Sequence, residues 1–215
     1  MNTSNHKKSI LVWDFPVRAF HWLLVTSFAG AWLSSESEAW QMIHYAFGYT
    51  AVGLVLFRIV WGVIGTRYAR FSQFIKGPAG TYQHIVSLLA GKQQSEAGHN
   101  PAGALAMISL MILILLISLT GYWSVKEFLE NFMSGAHEAI SNIALVVVVI
   151  HIAAAFIMSF IQKENLVKSM VTGKKQGTPE QAIRYPMYLV GVSLMIAWVY
   201  FFYLIVSGSL PVLTQ

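Results

Sequence analysis

The chain contains no cysteine among its 215 residues. Without thiols it cannot form disulfides, bind a metal through thiolates or attach haem covalently. Charge is also scarce, because only 11% of the residues are charged, whereas a soluble globular domain carries about 25%. With 56% hydrophobic residues and a mean hydropathy of +0.58, the composition argues against an ordinary soluble domain. These scarcities point to a protein of the lipid bilayer.

The apolar residues are gathered into five blocks, each about long enough to cross a hydrocarbon core of about 30 Å. No uninterrupted apolar run precedes Asp14 and Pro16, so the N-terminus is not typical of a cleaved signal and the first block is expected to remain. The predicted fold class is an all-α integral membrane protein, with a four-helix transmembrane bundle and a fifth, C-terminal transmembrane helix. The five blocks are Val17–Leu33, Met42–Ile64, Pro101–Trp123, His137–Ile161 and Pro186–Ser207.

Basic residues alternate between the connections of these blocks. The N-terminal tail and the 65–100 and 162–185 connections are rich in lysine and arginine, whereas the 34–41 and 124–136 connections carry mainly glutamate. The positive-inside rule therefore predicts a multi-pass membrane protein with a cytoplasmic N-terminus and a C-terminus on the outer side. Topology and attraction to membrane lipid explain the net charge of +5. No nucleic-acid partner is expected.

Four of the seven histidines lie in or at the ends of apolar blocks, namely His21, His44, His137 and His151. An ionisable group in lipid is costly, so it is a functional candidate by default. The predicted topology puts His44 and His137 at an outer level and His21 and His151 at a deeper, inner level. Two imidazoles facing each other across a bundle suit six-coordinate haem iron. These positions predict two haems, held by the pairs His44/His137 and His21/His151.

The fourth block carries its two histidines on one face. A spacing of fourteen leaves them about 40° apart around the helix and about 21 Å apart along it. Small residues between them leave room for a flat macrocycle, although small residues at a spacing of four are also common packing devices in membranes. The second block repeats the same offsets. The two stripes are His137, Ser141, Ala144, Val148, His151 and His44, Gly48, Ala51, Val55, Arg58.

Arg58 occupies the position in its stripe that corresponds to the second histidine of the other stripe. One interpretation turns the guanidinium inward, at the depth of the inner haem, where it would pair with a propionate. The alternative is that the long side chain extends to the inner membrane interface, about 9 Å away. The sequence leaves both open.

Several stretches resemble the bacterial cytochrome b561 family, in particular the branch that includes the b-type cytochrome subunits of nickel–iron hydrogenases. The resemblance covers about residues 10–175. It implies two b haems within four helices, the same four histidines as ligands, and electron transfer between quinones and a redox partner. The stretches are VWDFPVRAFHW (Val12–Trp22), HYAFGYTAVGLVLFRIVWGVIGTRYARF (His44–Phe71), GHNPAGALA (Gly98–Ala106), TGYW (Thr120–Trp123) and HEAISNIALVVVVIH (His137–His151).

On this basis residues 1–175 are predicted to form the di-haem domain, and residues 176–215 an additional transmembrane helix with a short outer tail. The last block has no histidine, and its aromatic string fits an interfacial belt or a surface facing lipid or a partner. That string is Trp198, Tyr200, Phe201, Phe202 and Tyr203. The expected partner is a periplasmic cytochrome or a dehydrogenase or hydrogenase subunit, met by the outer 124–136 connection.

Two other functions remain compatible with the sequence. One is a superoxide:quinone oxidoreductase, as in some small relatives of the family. A basic outer surface would favour that anionic substrate, whereas the outer connections here are acidic on balance. The other is a transporter or proton pathway, or a metal site without haem, that uses the intramembrane histidines. No nucleophile–base pair is evident, so no catalytic residue is predicted.

Overall fold

A computed structural model of the protein describes residues 8–74, 98 and 101–210. The basic positions below residue 8 and at 76 and 92, which contributed to the predicted orientation, lie outside the described residues. Three single-turn 3-10 helices occupy Glu38–Trp40, Phe71–Gln73 and Pro179–Gln181. The other elements are, in chain order, β1 (Lys8–Leu11), α1 (Phe15–Leu33), α2 (Gln41–Ile64), α3 (Pro101–Val125), α4 (Glu130–Gln162), α5 (Leu166–Thr172), β2 (Lys174–Gly177) and α6 (Tyr188–Val206).

Four of the described helices, α2, α3, α4 and α6, are long and apolar enough to cross a membrane. The prediction of a multi-pass helical membrane protein is therefore confirmed. Helix α1 has 19 residues, as many as α6, but it is less apolar because it carries Arg18, His21 and two hydroxyl residues. It is not among the four, so the count of five spans remains a prediction.

Helices α1 and α2 run antiparallel along their whole length. At one end Trp61 Nε1 donates a hydrogen bond to Asp14 Oδ2 at 3.1 Å, and at the other the His44 ring lies 2.8 Å from the Ala31 carbonyl oxygen. Asp14 is also the N-cap of α1, because its Oδ1 accepts from the Val17 amide at 2.8 Å. Pro16 lies in the first turn, where a missing amide hydrogen has no cost. Asp14 and Pro16 therefore define the start of α1.

Helix α6 runs parallel to α1 and completes a first helical group, which consists of α1, α2 and α6. Phe15 packs on Gly191, where a side chain would overlap its ring. Trp198 Nε1 donates to Ser27 Oγ at 2.9 Å. The expectation of an outward aromatic surface is therefore wrong for Trp198, although Tyr200 and Tyr203 on the same helix are more than 60% exposed.

Helices α3 and α4 form the second helical group, an antiparallel hairpin. Helix α4 has 33 residues, so it is about 50 Å long and exceeds the hydrocarbon core. It begins at Glu130, and the predicted outer connection 124–136 is reduced to a turn at residues 126–129. Two residues of this turn, Glu127 and Leu129, are left-handed, with φ of 57° and 49°. The two helical groups meet where α2 packs on α3.

Within the described residues the fold is all-helical, as predicted, apart from one short two-stranded antiparallel sheet. Strand β1 pairs with β2, from Lys8 opposite Gly177 to Leu11 opposite Lys174. The Ile183 amide donates to the Leu11 carbonyl at 2.8 Å, which attaches the chain before α6 to the same edge. The sheet forms a cap at the N-terminal end of α1. Strand β2 crosses the predicted domain boundary at 175/176, and the boundary itself stays a prediction.

Candidate functional site

The four histidines of the apolar blocks lie on both sides of the space between the two helical groups. His21 and His44 belong to α1 and α2 of the first group, whereas His137 and His151 belong to α4 of the second. Among the described elements, α4 packs extensively only on α3 and the short α5, and not on α1 or α2. Each predicted pair therefore has one histidine on either side of this space.

The structure brings His44 and His137 together. Their ring centroids are 6.1 Å apart, and the ring planes make an angle of 72°. A metal–imidazole bond is about 2 Å long and a ring centre lies ~1 Å beyond its nitrogen, so two imidazoles on opposite sides of one ion have centroids about 6 Å apart. The observed separation fits one iron between the two rings.

Backbone carbonyls fix the orientation of both rings. His44 Nδ1 lies 2.8 Å from the Ala31 oxygen of α1, and His137 Nδ1 lies 2.8 Å from the Ile117 oxygen of α3. Because a carbonyl only accepts, Nδ1 must carry the proton in each ring, which leaves Nε2 with a free lone pair. This is the arrangement that metal-bound histidines use to fix tautomer and ring orientation.

His21 lies on α1 and His151 on α4, on opposite sides of the space between the two helical groups. The contacts of Asp14 with Trp61 and of Ala31 with His44 set the alignment of α1 and α2, which puts His21 ten residues deeper than Ala31 along α1. His151 is fourteen residues deeper than His137, or about 21 Å along α4. The four histidines therefore lie at two levels along their helices.

Glycines next to the histidines leave room for the rings and for a flat group beside them. A Cβ at Gly121 of α3 would lie 2.9 Å from His137 Nδ1, so only glycine allows this ring to sit against α3. A Cβ at Gly48, one turn after His44, would meet nothing within 4 Å, which leaves open volume on the histidine stripe. Further along the stripe Ala51 and Val55 are buried against Met111 and Ile114. The walls of the space are thus apolar.

Arg58 is the largest fully buried side chain, at 1% exposure. Its guanidinium lies 4.9 Å from the centroid of the Phe71 ring, and one terminal nitrogen lies 3.7 Å from Met107 Sδ. The other two nitrogens, Nε and Nη1, have no hydrogen-bond partner within the described part of the chain. Arg58 is therefore a buried cation with unsatisfied donors, which is costly without an anionic partner.

Sequence reasoning found the four histidines and Arg58 but not the groups that orient them. The TGYW stretch contains Gly121, yet nothing in its composition distinguishes a glycine beside an imidazole from one that only packs. Within the described residues no group of three or more histidines and carboxylates could hold a metal ion by itself. Each histidine pair supplies only two ligands, which suits an iron whose other four positions are filled by a macrocycle.

Comparison with known proteins identifies the family of the chain. The family described as prokaryotic cytochrome b561 matches residues 12–173. A protein of Rhizobium leguminosarum bv. viciae named "Probable Ni/Fe-hydrogenase B-type cytochrome subunit" is 23% identical over 214 residues, which cover 79% of this chain and 90% of the relative. The "Probable Ni/Fe-hydrogenase 1 B-type cytochrome subunit" of Escherichia coli K12 is 28% identical over 146 residues, 55% of this chain and 61% of the relative. The chain belongs to the prokaryotic cytochrome b561 family, the multi-pass membrane b-type cytochromes of electron transfer.

Proposed function

We propose that the protein is a di-haem cytochrome b that relays single electrons across the bacterial inner membrane, between the quinone pool and a redox partner protein. Haem b supplies a one-electron carrier when it is bound. The chain's own part is to hold two such groups at two depths, to exclude water from them and to set their affinity for the electron.

The observation that carries this proposal is the His44/His137 pair. Two imidazoles meet at 6.1 Å, and each donates its Nδ1 hydrogen to a carbonyl. A pair of histidines used only to join two helices would hydrogen-bond to each other rather than leave both Nε2 atoms free. Ligation from both sides leaves iron no open position for a substrate, which favours electron transfer over oxygen activation.

His21 and His151 are proposed to hold the second, inner haem. Arg58 lies about one turn beyond the His21 level, toward the N-terminal end of α1. A haem carries two propionate groups at one edge, and a buried guanidinium with two unsatisfied nitrogens is suited to bind one of them. The burial of Arg58 argues against the alternative in which its side chain extends to the interface.

A quinone is the proposed lipid-phase substrate, because α2 and α4, which hold three of the four histidines, are left mostly uncovered by the rest of the described chain. The proposed protein partner is a periplasmic cytochrome or a dehydrogenase or hydrogenase subunit. The hydrogenase subunit is favoured by the names of the two relatives. Its expected contact is the outer turn at residues 126–129 and the projecting first turns of α4.

The haem content of the purified full-length protein tests the proposal. The pyridine haemochrome assay is expected to give about two haems b per polypeptide, and the ferrous protein should show the α-band of bis-histidine haem. If the protein is produced with ample haem and still contains none, the proposal is contradicted. The histidines would then be better explained by a proton pathway or a metal site without haem. Oxidation of the reduced protein by a soluble quinone then tests the proposed substrate.

A further inference from the structure

We infer that α6 positions the His44 side chain through Phe47, so that Trp198 and Phe202 are positioning residues for the outer haem. The inference rests on the proposed di-haem function and deepens it, because it assigns a role to the helix that carries no histidine. It follows from three sets of contacts between α6, α1 and α2.

The first set is a chain of hydroxyl groups buried inside the helical group. Trp198 Nε1 donates to Ser27 Oγ at 2.9 Å, and Ser27 Oγ lies 3.4 Å from Thr50 Oγ1. Ser27 and Thr50 are only 0% and 3% exposed. The Thr50 hydroxyl in turn donates a hydrogen bond to the Ala46 carbonyl oxygen at 2.8 Å. One chain of hydrogen-bonding groups therefore connects α6 to α1 and α2, and such bonds between membrane helices stabilise their packing.

The second set is an aromatic cluster that ends on α2. The Phe47 ring centroid lies 4.7 Å from that of Phe202 and 6.4 Å from that of Trp198, while Trp198 stacks on Phe202 at 5.6 Å. Phe47 is one helical turn after His44. Trp198 and Phe202 of α6 thus contact the turn of α2 that carries His44, a proposed haem ligand.

The third set connects Phe47 to the acceptor of the His44 proton. The Phe47 ring also lies against the backbone of Gly30 in α1, where a Cβ would overlap the ring. The next residue is Ala31, whose carbonyl accepts from His44 Nδ1 at 2.8 Å. The packing of the Phe47 ring against Gly30 therefore sets the distance between α1 and α2 at the level of this hydrogen bond.

This arrangement has a consequence for the potential of the outer haem. An Nδ1–H···O=C bond makes an imidazole a stronger electron donor, which favours the oxidised iron and lowers the midpoint potential. If Phe47 moves away from Gly30, the bond from His44 to Ala31 lengthens. The midpoint potential of the outer haem then rises, while the inner haem keeps its value because neither of its proposed ligands contacts this cluster.

The variant Gly30→Ala in the full-length, haem-loaded protein tests the inference by potentiometric titration and low-spin ferric EPR. We expect a higher outer midpoint potential, a changed outer EPR signal and an unchanged inner haem. Trp198→Phe, which keeps the ring but removes its N–H donor, should give a smaller shift in the same direction. Tyr200→Phe is the matched control, because Tyr200 of α6 is 61% exposed. It should leave the midpoint potentials of both haems unchanged.

A second substitution separates positioning from a general loss of stability. Adding Phe47→Leu to Gly30→Ala reduces the side chain that the new methyl group displaces, so the outer potential should return toward the wild-type value. Unchanged potentials in both Gly30→Ala and Trp198→Phe at full haem content would overturn the inference. Equal shifts of both haems would also overturn it. Wild-type protein without haem would instead refute the proposed function.

Discussion

At the scale of the residue, the four histidines make the most direct prediction. His44→Ala and His137→Ala should each remove the outer haem, because each deletes one ligand of the pair whose centroids are 6.1 Å apart. His21→Ala and His151→Ala should each remove the inner haem. Redox titration of each variant, with haem content measured in parallel, should show about one haem remaining and identify which component is lost.

The pairing prediction has a clear contrary result. His21 and His137 lie on helices α1 and α4 but at different levels. Loss of the same spectral component from His21→Ala and His137→Ala would mean that the two levels are assigned incorrectly. The double variant His44→Ala with His137→Ala serves as the control, since it should lose no more haem than either single variant.

Arg58 carries a second prediction at this scale. Arg58→Gln should lower the midpoint potential of the inner haem, because the loss of a nearby positive charge favours the iron state with one more positive charge. Loss of a charge from this buried site predicts a shift on the order of tens of millivolts. The outer haem, which lies some 20 Å away along the helices, should hardly change. Spectrally resolved potentiometric titration measures both.

Two further substitutions make the Arg58 result specific. Arg58→Lys keeps the positive charge and should retain most of the inner potential. Arg70→Gln removes an exposed arginine at the same end of α2 and should leave both potentials unchanged. An inner potential that stays constant in Arg58→Gln at full haem content would end the proposed role of Arg58 beside a propionate.

The candidate residues could be identified from the sequence, but the groups that hydrogen-bond to them could not. Histidines and an arginine are rare in apolar blocks, so their positions alone mark His21, His44, His137, His151 and Arg58 as candidates. The oxygens of Ala31 and Ile117 that orient two of the histidines are backbone atoms. Every residue has such an oxygen, and only the packing of the helices decides which one faces an imidazole.

At the scale of the element, Asp14 is the residue on which the start of α1 depends. Its carboxylate is 1% exposed and accepts from the Val17 amide, from Trp61 Nε1 and from Thr66 Oγ1 at 2.6 Å. Asp14→Ala removes the cap and leaves two buried donors without partners. We expect a loss of about 2–4 kcal/mol in the free energy of unfolding. Denaturant unfolding in detergent, followed by circular dichroism, measures it.

Asn165→Ala is a matched control for Asp14→Ala. Asn165 is the N-cap of α5, and its side-chain Oδ1 accepts from the Lys168 amide at 2.7 Å. The residue is exposed, and within the described part of the chain this is the one side-chain hydrogen bond of Asn165. This variant should therefore lose about 1 kcal/mol or less. Equal losses in the two variants would mean that the contacts of Asp14 with α2 add nothing to its capping role.

The helices followed from the apolar blocks, and the smaller elements did not. Each block became a helix whose ends lie within a few residues of the prediction, except that α4 begins seven residues earlier than His137. The strands pair residues more than 160 positions apart, and neither Lys8–Leu11 nor Lys174–Gly177 has a strand pattern of its own. Likewise, the sequence did not show which side of α6 packs against the other helices, because α6 is apolar on every face.

At the scale of the whole molecule, the histidine sites depend on how two helical groups meet. One group consists of α1, α2 and α6, and the other is the α3–α4 hairpin. The groups join through α2 and α3 around Val55 and Met111, and the space between α4 and the first group is spanned by the histidines. The sequence could place ligands on faces of helices. It could not show that α6 would pack with the N-terminal helices rather than stay apart as a separate unit.

The path of the chain across the membrane gives the last prediction, and the absence of cysteine makes it simple to test. Ser35 follows α1, Ser209 follows α6, and Lys174 lies in the cap that holds the start of α1; all three are exposed. In intact spheroplasts Ser35→Cys and Ser209→Cys should react with a membrane-impermeant maleimide, whereas Lys174→Cys should react only after permeabilisation. Wild-type protein, which has no thiol, is the blank. Helix α1 is the least apolar of the five long helices, so its crossing is the part of the topology most in need of this test. Labelling of Ser35→Cys from the same side as Lys174→Cys would show that α1 does not cross the membrane. Labelling of Lys174→Cys alone in intact spheroplasts would reverse the proposed orientation.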